Sequence, residues 1–252
     1  MINTFEKDYK NLINRIIKGG TKTKNRTIIP TIKLFNQQLN INLLEGFPII
    51  TGKKIFFNKA LTEFKWMYEG RTDLEYLQKN NVNWWDSFAV TNKLGKVYGH
   101  QIKNYNNTFN QIEYVIKEIN NNSRRAIINL WNPCDLEDQA LPCCFTQMNF
   151  VRINNELNLS VHFRSSDIFL GLPYDVIVMA LFLYTIAKKC NLKPKLLGLN
   201  LADAHVYTNQ LTQIEEYNNN GIKKLPILYG SYNNYKLKDY ESFNYIKTPL
   251  TI

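Results

Sequence analysis

The feature that most constrains this chain is an apolar run from Val176 to Tyr184, which continues to Ala187 and is closed by Lys188-Lys189. A membrane span needs about 20 consecutive apolar residues, so this run is too short to cross a bilayer. A helix that is apolar on all sides, inside a chain of ordinary polarity, has to be enclosed by its own protein. We therefore read Tyr174–Cys190 as a central buried helix for which the rest of the chain must supply walls.

Those walls are legible in part. Phe5, Tyr9, Leu12, Ile13, Ile16 and Ile17 keep helical spacing, and Gly19-Gly20 stops that helix. From Thr27 to Leu43 the pattern becomes strand-like, clearest at Leu39, Ile41 and Leu43. Gly46-Phe47-Pro48 reads as a turn. A second helix carries Phe56, Phe57, Ala60, Leu61 and Phe64 and ends near Gly70. Ala126–Trp131, Thr146–Val151 and Leu157–Phe163 read as strands, the last two joined through Asn154-Asn155. The Asn-rich stretches 104–110 and 120–123 read as loops. Another strand is expected near Leu196–Leu201, then a helix from about His205 to Tyr217. No repeat or flexible linker divides the 252 residues, so the expectation is one α+β domain spanning 1–252, a mixed sheet packed by helices.

The formal charge of +10 points to an anionic partner: nucleic acid, a membrane surface or a phosphorylated small molecule. The basic residues are scattered, which weighs against nucleic-acid binding. The four cysteines form no CxxC pair and the three histidines lack ligand spacing, so no metal site is expected. Free cysteines and no leader-like segment fit a cytoplasmic setting.

Two segments carry potential chemistry. Ala140-Leu141-Pro142-Cys143-Cys144 sets a cysteine just before a strand, where it could be an exposed nucleophile or a small buried hydrophobe. Arg164-Ser165-Ser166-Asp167 lies at a strand end, followed by Gly171-Leu172-Pro173 and the central helix. Asp175 stands at the mouth of that apolar helix, where it either caps the helix or serves a site.

Together these segments resemble the thymidylate synthase superfamily. The resemblance extends through Arg26-Thr27, Gly46-Phe47-Pro48, Thr62-Glu63 with Trp66, Asn80-Asn81-Val82 with Trp85-Asp86, Val97-Tyr98-Gly99, Ser123-Arg124-Arg125, Asp203-Ala204-His205-Val206-Tyr207 and the tail Ile246–Ile252. It implies a folate-dependent transfer of one carbon from 5,10-methylenetetrahydrofolate to C5 of a pyrimidine nucleotide. C5 is a poor nucleophile until a thiolate adds at C6, and the resemblance gives that role to Cys144. Arg164 is then the cation that helps ionise the thiol, while Glu63 and Tyr98 handle protons. It assigns the nucleotide phosphate to Arg26, Arg164 and Ser165, with Arg124 and Arg125 contributed by the partner of a homodimer. His205 and Tyr207 correspond to residues that bind the sugar, with Asp167 and Asp175 also on the nucleotide. Trp85, Asp167, Leu170, Gly171, Tyr174 and Ile252 match the folate pocket.

Asp175 departs from the synthases, which carry Asn there, and matches the deoxycytidylate hydroxymethylases. An Asn amide reads uracil; a protonated carboxylic acid can present the reversed pattern to cytosine, and burial would keep it protonated. Phe145 also replaces the His that usually follows the nucleophile. The expectation is therefore dCMP as substrate. For the product, the Asp points to 5-hydroxymethyl-dCMP, whereas the synthase-like tail and Trp85 favour excluding water and making 5-methyl-dCMP. Hydroxymethylation is the narrow preference, with dUMP methylation as the further alternative. Trp84 and Phe88 are also departures, at the folate ring system.

Overall fold

The structure is a computed structural model that describes residues 3–89 and 93–251. Asn3 accepts from the Glu6 amide and starts α1 (Thr4–Gly19), whose buried stripe is Phe5, Tyr9, Leu12, Ile13 and Ile16. Two strands follow, β1 (Thr21–Thr23) and β2 (Thr31–Asn42). Next come α2 (Phe57–Tyr68), α3 (Leu74–Lys79), α4 (Tyr98–Lys103) and α5 (Gln111–Asn120). Strands β3 (Ile127–Asn129), β4 (Phe145–Ile153), β5 (Glu156–Phe163) and β6 (Ser166–Asp167) lead to α6 (Leu172–Lys189). The chain ends with β7 (Lys193–Tyr207), α7 (Leu211–Asn219) and a small hairpin of β8 (Ile227–Tyr229) and β9 (Lys236–Lys238).

The main sheet runs β1-β2-β7-β5-β4-β3, with β6 also paired to β7. β5 and β6 lie parallel to β7 and the other pairs are antiparallel, so the expected mixed α+β architecture is present. The β4–β5 turn is the expected Asn154-Asn155, with Asn154 in the left-handed conformation that suits asparagine (φ 55°). Helices α1 and α6 pack on one face of the sheet. Residues Val176–Leu183, Ile186 and Ala187 are all buried, as a helix apolar on all sides requires. The opposite face leaves Val151 and Ile153 exposed beside their buried neighbour Phe150. A cleft of about 320 Å³, lined by Asn129, Trp131, Thr146, Gln147, His162 and Arg164, adjoins it.

The last expected helix begins later than its sequence indicates. His205 and Tyr207 belong to β7, and α7 starts only at Leu211. The strand is held there from both edges: β2 pairs with β7 out to Tyr207, and β6 pairs on the other side, Ser166 with Ala204 and Asp167 with His205. Helices α3, α4 and α5 form in stretches to which the sequence pattern assigned no element, although Ile112, Val115 and Ile119 of α5 do keep one buried face. Among the described residues, no helix is long and apolar enough to cross a membrane.

Candidate active site

The candidate residues gather where the start of β4 and the ends of β5 and β7 meet the mouth of α6. Cys143 and Cys144 separate here. Cys143 is fully buried and burial drives its thiol far up, whereas Cys144 is partly exposed. Tyr98, at the first residue of α4, fixes the backbone there by accepting from the Cys144 amide at 2.6 Å. Arg164 grips the same turn: its Nε donates to the Cys143 carbonyl at 2.9 Å and an Nη2 to Pro142 at 2.7 Å. That Nη2 also lies 3.9 Å from Cys144 Sγ.

The electrical balance at Cys144 is mixed. Burial raises its thiol pKa, Arg164 lowers it, Asp175 raises it again, and Tyr98 and Arg26 lower it, with a net rise. Arg164 pulls the thiol down, but desolvation outweighs it. Phe145 backs the nucleophile segment, with its ring 4.3 Å from Tyr98 and 5.7 Å from Phe163. This aromatic wall is dry where a His would have been polar.

Glu63 reaches the pocket from α2 and is only 8% exposed. Its Oε1 accepts from two indoles, Trp84 Nε1 at 3.0 Å and Trp85 Nε1 at 2.7 Å. Burial raises the Glu63 pKa and the two indole bonds pull against it. Asp175 lies on the first turn of α6, where Gly171 is the cap residue and no side chain caps the helix. The capping alternative for Asp175 therefore fails. Its carboxylate receives no hydrogen bond from the described residues, and burial, then the charges of Glu63 and Asp167, hold it well above the usual carboxylate range.

Asp167 is engaged internally: Oδ1 accepts from the Phe169 and Leu170 amides and Oδ2 from Gln210. His205 Nδ1 is 3.0 Å from Asp203, which also meets Lys33 at 2.7 Å. Tyr207 packs edge-on against His205, and the charges of Asp167 and Arg26 both reach its hydroxyl. Arg26 is exposed on the loop before β2, and Ser165 is half-buried beyond Arg164. Arg124 and Arg125 lie exposed ahead of β3, and no described hydrogen bond or ion pair joins either side chain to the other candidates.

Aromatic rings pack together beside Glu63. Trp84 and Tyr174 stand 5.1 Å apart, Trp85 packs on Phe88 at 6.1 Å, and Leu170 is half-buried nearby. A Cβ on Gly171 would sit 3.9 Å from Asp175 Oδ2, so the missing side chain leaves space directly beside Asp175. Ile252 falls outside the described residues. Its neighbour Thr251 accepts from Asn209 at 3.3 Å, which ties the tail near the start of α7. No group of three His, Cys, Asp or Glu among the described residues could hold a metal.

Sequence reasoning missed Lys53. It is 4% exposed, its Nζ donates to the Phe169 carbonyl at 2.6 Å and sits 3.6 Å from that ring's centroid. Burial lowers it to about 7 against the pull of Asp167. Nothing in a Lys-Lys pair marks one member as internal, because lysine is ordinarily a surface residue.

Comparison with known proteins fits this geometry. The thymidylate synthase family model matches residues 7–251. The thymidylate synthase of Wigglesworthia glossinidia brevipalpis is 34% identical over 263 residues, covering 98% of this chain and all of that protein. The chain belongs to the thymidylate synthase family, enzymes of folate-dependent C5 transfer to a pyrimidine nucleotide. Both comparisons carry the synthase description and neither carries the deoxycytidylate hydroxymethylase one, so they favour methyl transfer over the hydroxymethylation expected from Asp175.

Proposed function

We propose that this chain methylates C5 of dUMP, giving thymidylate and dihydrofolate. The observation that carries this reading is the assembly of Cys144, Tyr98 and Arg164 at one turn facing Glu63 and Asp175, in a chain similar over its whole length to a thymidylate synthase. Methylenetetrahydrofolate supplies the one-carbon unit and the hydride, held against Trp85, Leu170, Gly171 and Tyr174. Cys144 Sγ bonds to C6 of the base and leaves again at the end, so the chain returns unchanged. Glu63 moves protons through water, and the buried Tyr98 fixes the nucleophile's backbone. Arg26, Arg164 and Ser165 hold the phosphate, with charge-assisted bonds suited to its oxygens. His205 and Tyr207 face the sugar.

Asp175 does not exclude uracil. Either oxygen of a neutral carboxylic acid can carry the proton, so its O–H can donate to uracil O4 while its C=O accepts from N3–H. Turned the other way, the same acid donates to cytosine N3 and accepts from the 4-amino group. An ionised Asp175 accepts only and serves neither base. The second reading, dCMP as substrate, is favoured by this one residue, since an Asn could not offer the reversed pattern so readily.

We also propose a homodimer with shared sites. Arg124 and Arg125 are exposed, with no described hydrogen bond or ion pair from their side chains to this chain's other candidates, and the sheet face bearing Val151 and Ile153 is uncovered.

The test supplies methylenetetrahydrofolate with dUMP, dCMP or CMP in separate reactions, weighs the nucleotide products and follows dihydrofolate by absorbance. Conversion of dUMP with equal dihydrofolate is expected. Conversion of dCMP alone would replace the first reading by the second, and a product heavier by one oxygen without dihydrofolate would restore hydroxymethylation. Asp175→Asn should keep dUMP turnover and lose any turnover of dCMP.

A further inference from the structure

Two indole N–H groups on one carboxylate oxygen is an unusual arrangement, and it needs two adjacent tryptophans. Trp85 is the residue the resemblance places in the folate pocket; Trp84 is a departure to which nothing assigns a role. Its Nε1 donates to Glu63 Oε1 at 3.0 Å, beside the 2.7 Å bond from Trp85. Both donors converge on Oε1, and Oε2 takes no donor among the described residues. The Trp84 ring is held from two sides, by Tyr174 at 5.1 Å and by the Lys59 ammonium at 6.0 Å. An indole can donate but not accept, so it stabilises the charged carboxylate and offers nothing to a carbonyl oxygen beyond an ordinary bond.

We propose that Trp84 is a positioning residue that, with Trp85, fixes the negative charge on Glu63 and leaves its Oε2 free for proton transfer. The titratable groups facing Glu63 are Asp175 and Tyr174, both on α6, with Lys59 behind the Trp84 ring. Two neighbouring carboxyls in a dry site do not both ionise readily, and their protons distribute over the pair. Glu63 has two dedicated donors, whereas Asp175 has none among the described residues. The charge therefore settles on Glu63 and the proton on Asp175, which leaves Asp175 in the form able to donate to a base. Trp84 in this way connects the proton-handling group to the base-reading group without touching the base. The inference rests on the proposed role of Glu63, and it concerns the enzyme before any turnover.

The test is a titration of the nucleotide-free protein labelled with ¹³C at the glutamate carboxyls. The Glu63 resonance is identified by its loss in Glu63→Gln. In Trp84→Phe, which keeps a ring against Tyr174, the Glu63 midpoint should move to higher pH by about one unit, the size of one lost donor to a charged group. The sign follows because a lost donor weakens only the charged form. The acidic limb of the kcat profile should move the same way. If the variant does not fold, the wild type answers alone: the ¹⁵N–H resonances of both indoles should shift with the Glu63 midpoint. An unmoved midpoint in Trp84→Phe, or an indole of Trp84 indifferent to Glu63, overturns the proposal. Failure of the proposed function would appear elsewhere, as absence of turnover with every nucleotide while this titration still behaves as described.

Discussion

The inner wall of the pocket and its rim both carry charge, but under opposite conditions. At the inner wall, Glu63 is buried and Asp175 half-buried, and desolvation pushes both carboxyls up. At the rim, Arg26, Arg124 and Arg125 are exposed, and Lys33 with Asp203 is about one-third exposed. In the wall, desolvation decides where protons sit, so single hydrogen bonds such as those from Trp84 and Trp85 matter. At the rim, water screens each charge, and strength has to come from several groups meeting one phosphate. Under the proposed sharing of sites, Arg124 and Arg125 of a second copy complete the rim.

The sharpest way to break this contrast is at the two cysteines, which are adjacent in sequence but differ in surroundings. Cys144→Ser should lose activity at least about 1000-fold, because a serine hydroxyl is a far weaker nucleophile than a thiolate. Cys143→Ser, placing a hydroxyl in a fully buried position, should cost stability while keeping most turnover in the molecules that stay folded. Initial rates and thermal melts on both variants decide it. The reverse result would mean that the turn gripped by Arg164 presents the other sulfur.

How much of this could be read beforehand follows the same division. The buried helix α6 and the strands β4 and β5 were legible because apolar run length and alternation are direct consequences of burial. The end of β7 was not: Ala204, His205 and Val206 are buried in succession, so alternation disappears where β2 and β6 flank the strand on its two edges. Cys144, Arg164 and Tyr98 meet at one turn, and Glu63 is held by Trp84 and Trp85, with the roles given to them remaining those proposed. Lys53 was not visible, since a lysine reads as surface, and Trp84 was legible as a departure at the folate ring system but not as a donor to Glu63. Asp175 was visible, but its meaning was overdrawn. A reversed hydrogen-bond pattern is one of two that a neutral acid can present, and sequence alone does not choose between them.

The rim gives an intermediate effect. Arg125→Ala removes one charge-assisted bond of about 1.5–3 kcal/mol from a phosphate, a rise in KM of roughly 10- to 100-fold with less change in kcat. The position of the loss tests the incompleteness of the rim. Mixing Arg125→Ala subunits with Cys144→Ser subunits makes about half the dimers mixed, each with one intact site if sites are shared, so roughly a quarter of wild-type activity should return. A verified mixed dimer without recovery would place the arginines on their own chain's pocket or on none.

The smallest effect belongs to Asp203, where a rim charge has its closest partners. The hydrogen bond from His205 comes first and that from Lys33 supports it, and together they hold the carboxyl at about 2, against an ordinary 3.8. A depressed carboxylate contributes stability above its unfolded value and loses it as pH falls through the folded one. The contribution of Asp203 should therefore be full above about pH 4 and fade toward about pH 2. Because both Asp203 and Lys33 remain about one-third exposed, solvent keeps the gain below roughly 1 kcal/mol, about 2–4 °C in melting temperature for a chain of this size. Asp203→Asn should melt lower than wild type by that margin at pH 6, with the two curves converging as pH drops below 4. Convergence is the informative part, since a variant that merely packs badly would stay below wild type at every pH. A deficit much larger than this at pH 6 would mean that the rim is drier than its exposure indicates, and the contrast between wall and rim would have to be redrawn around His205.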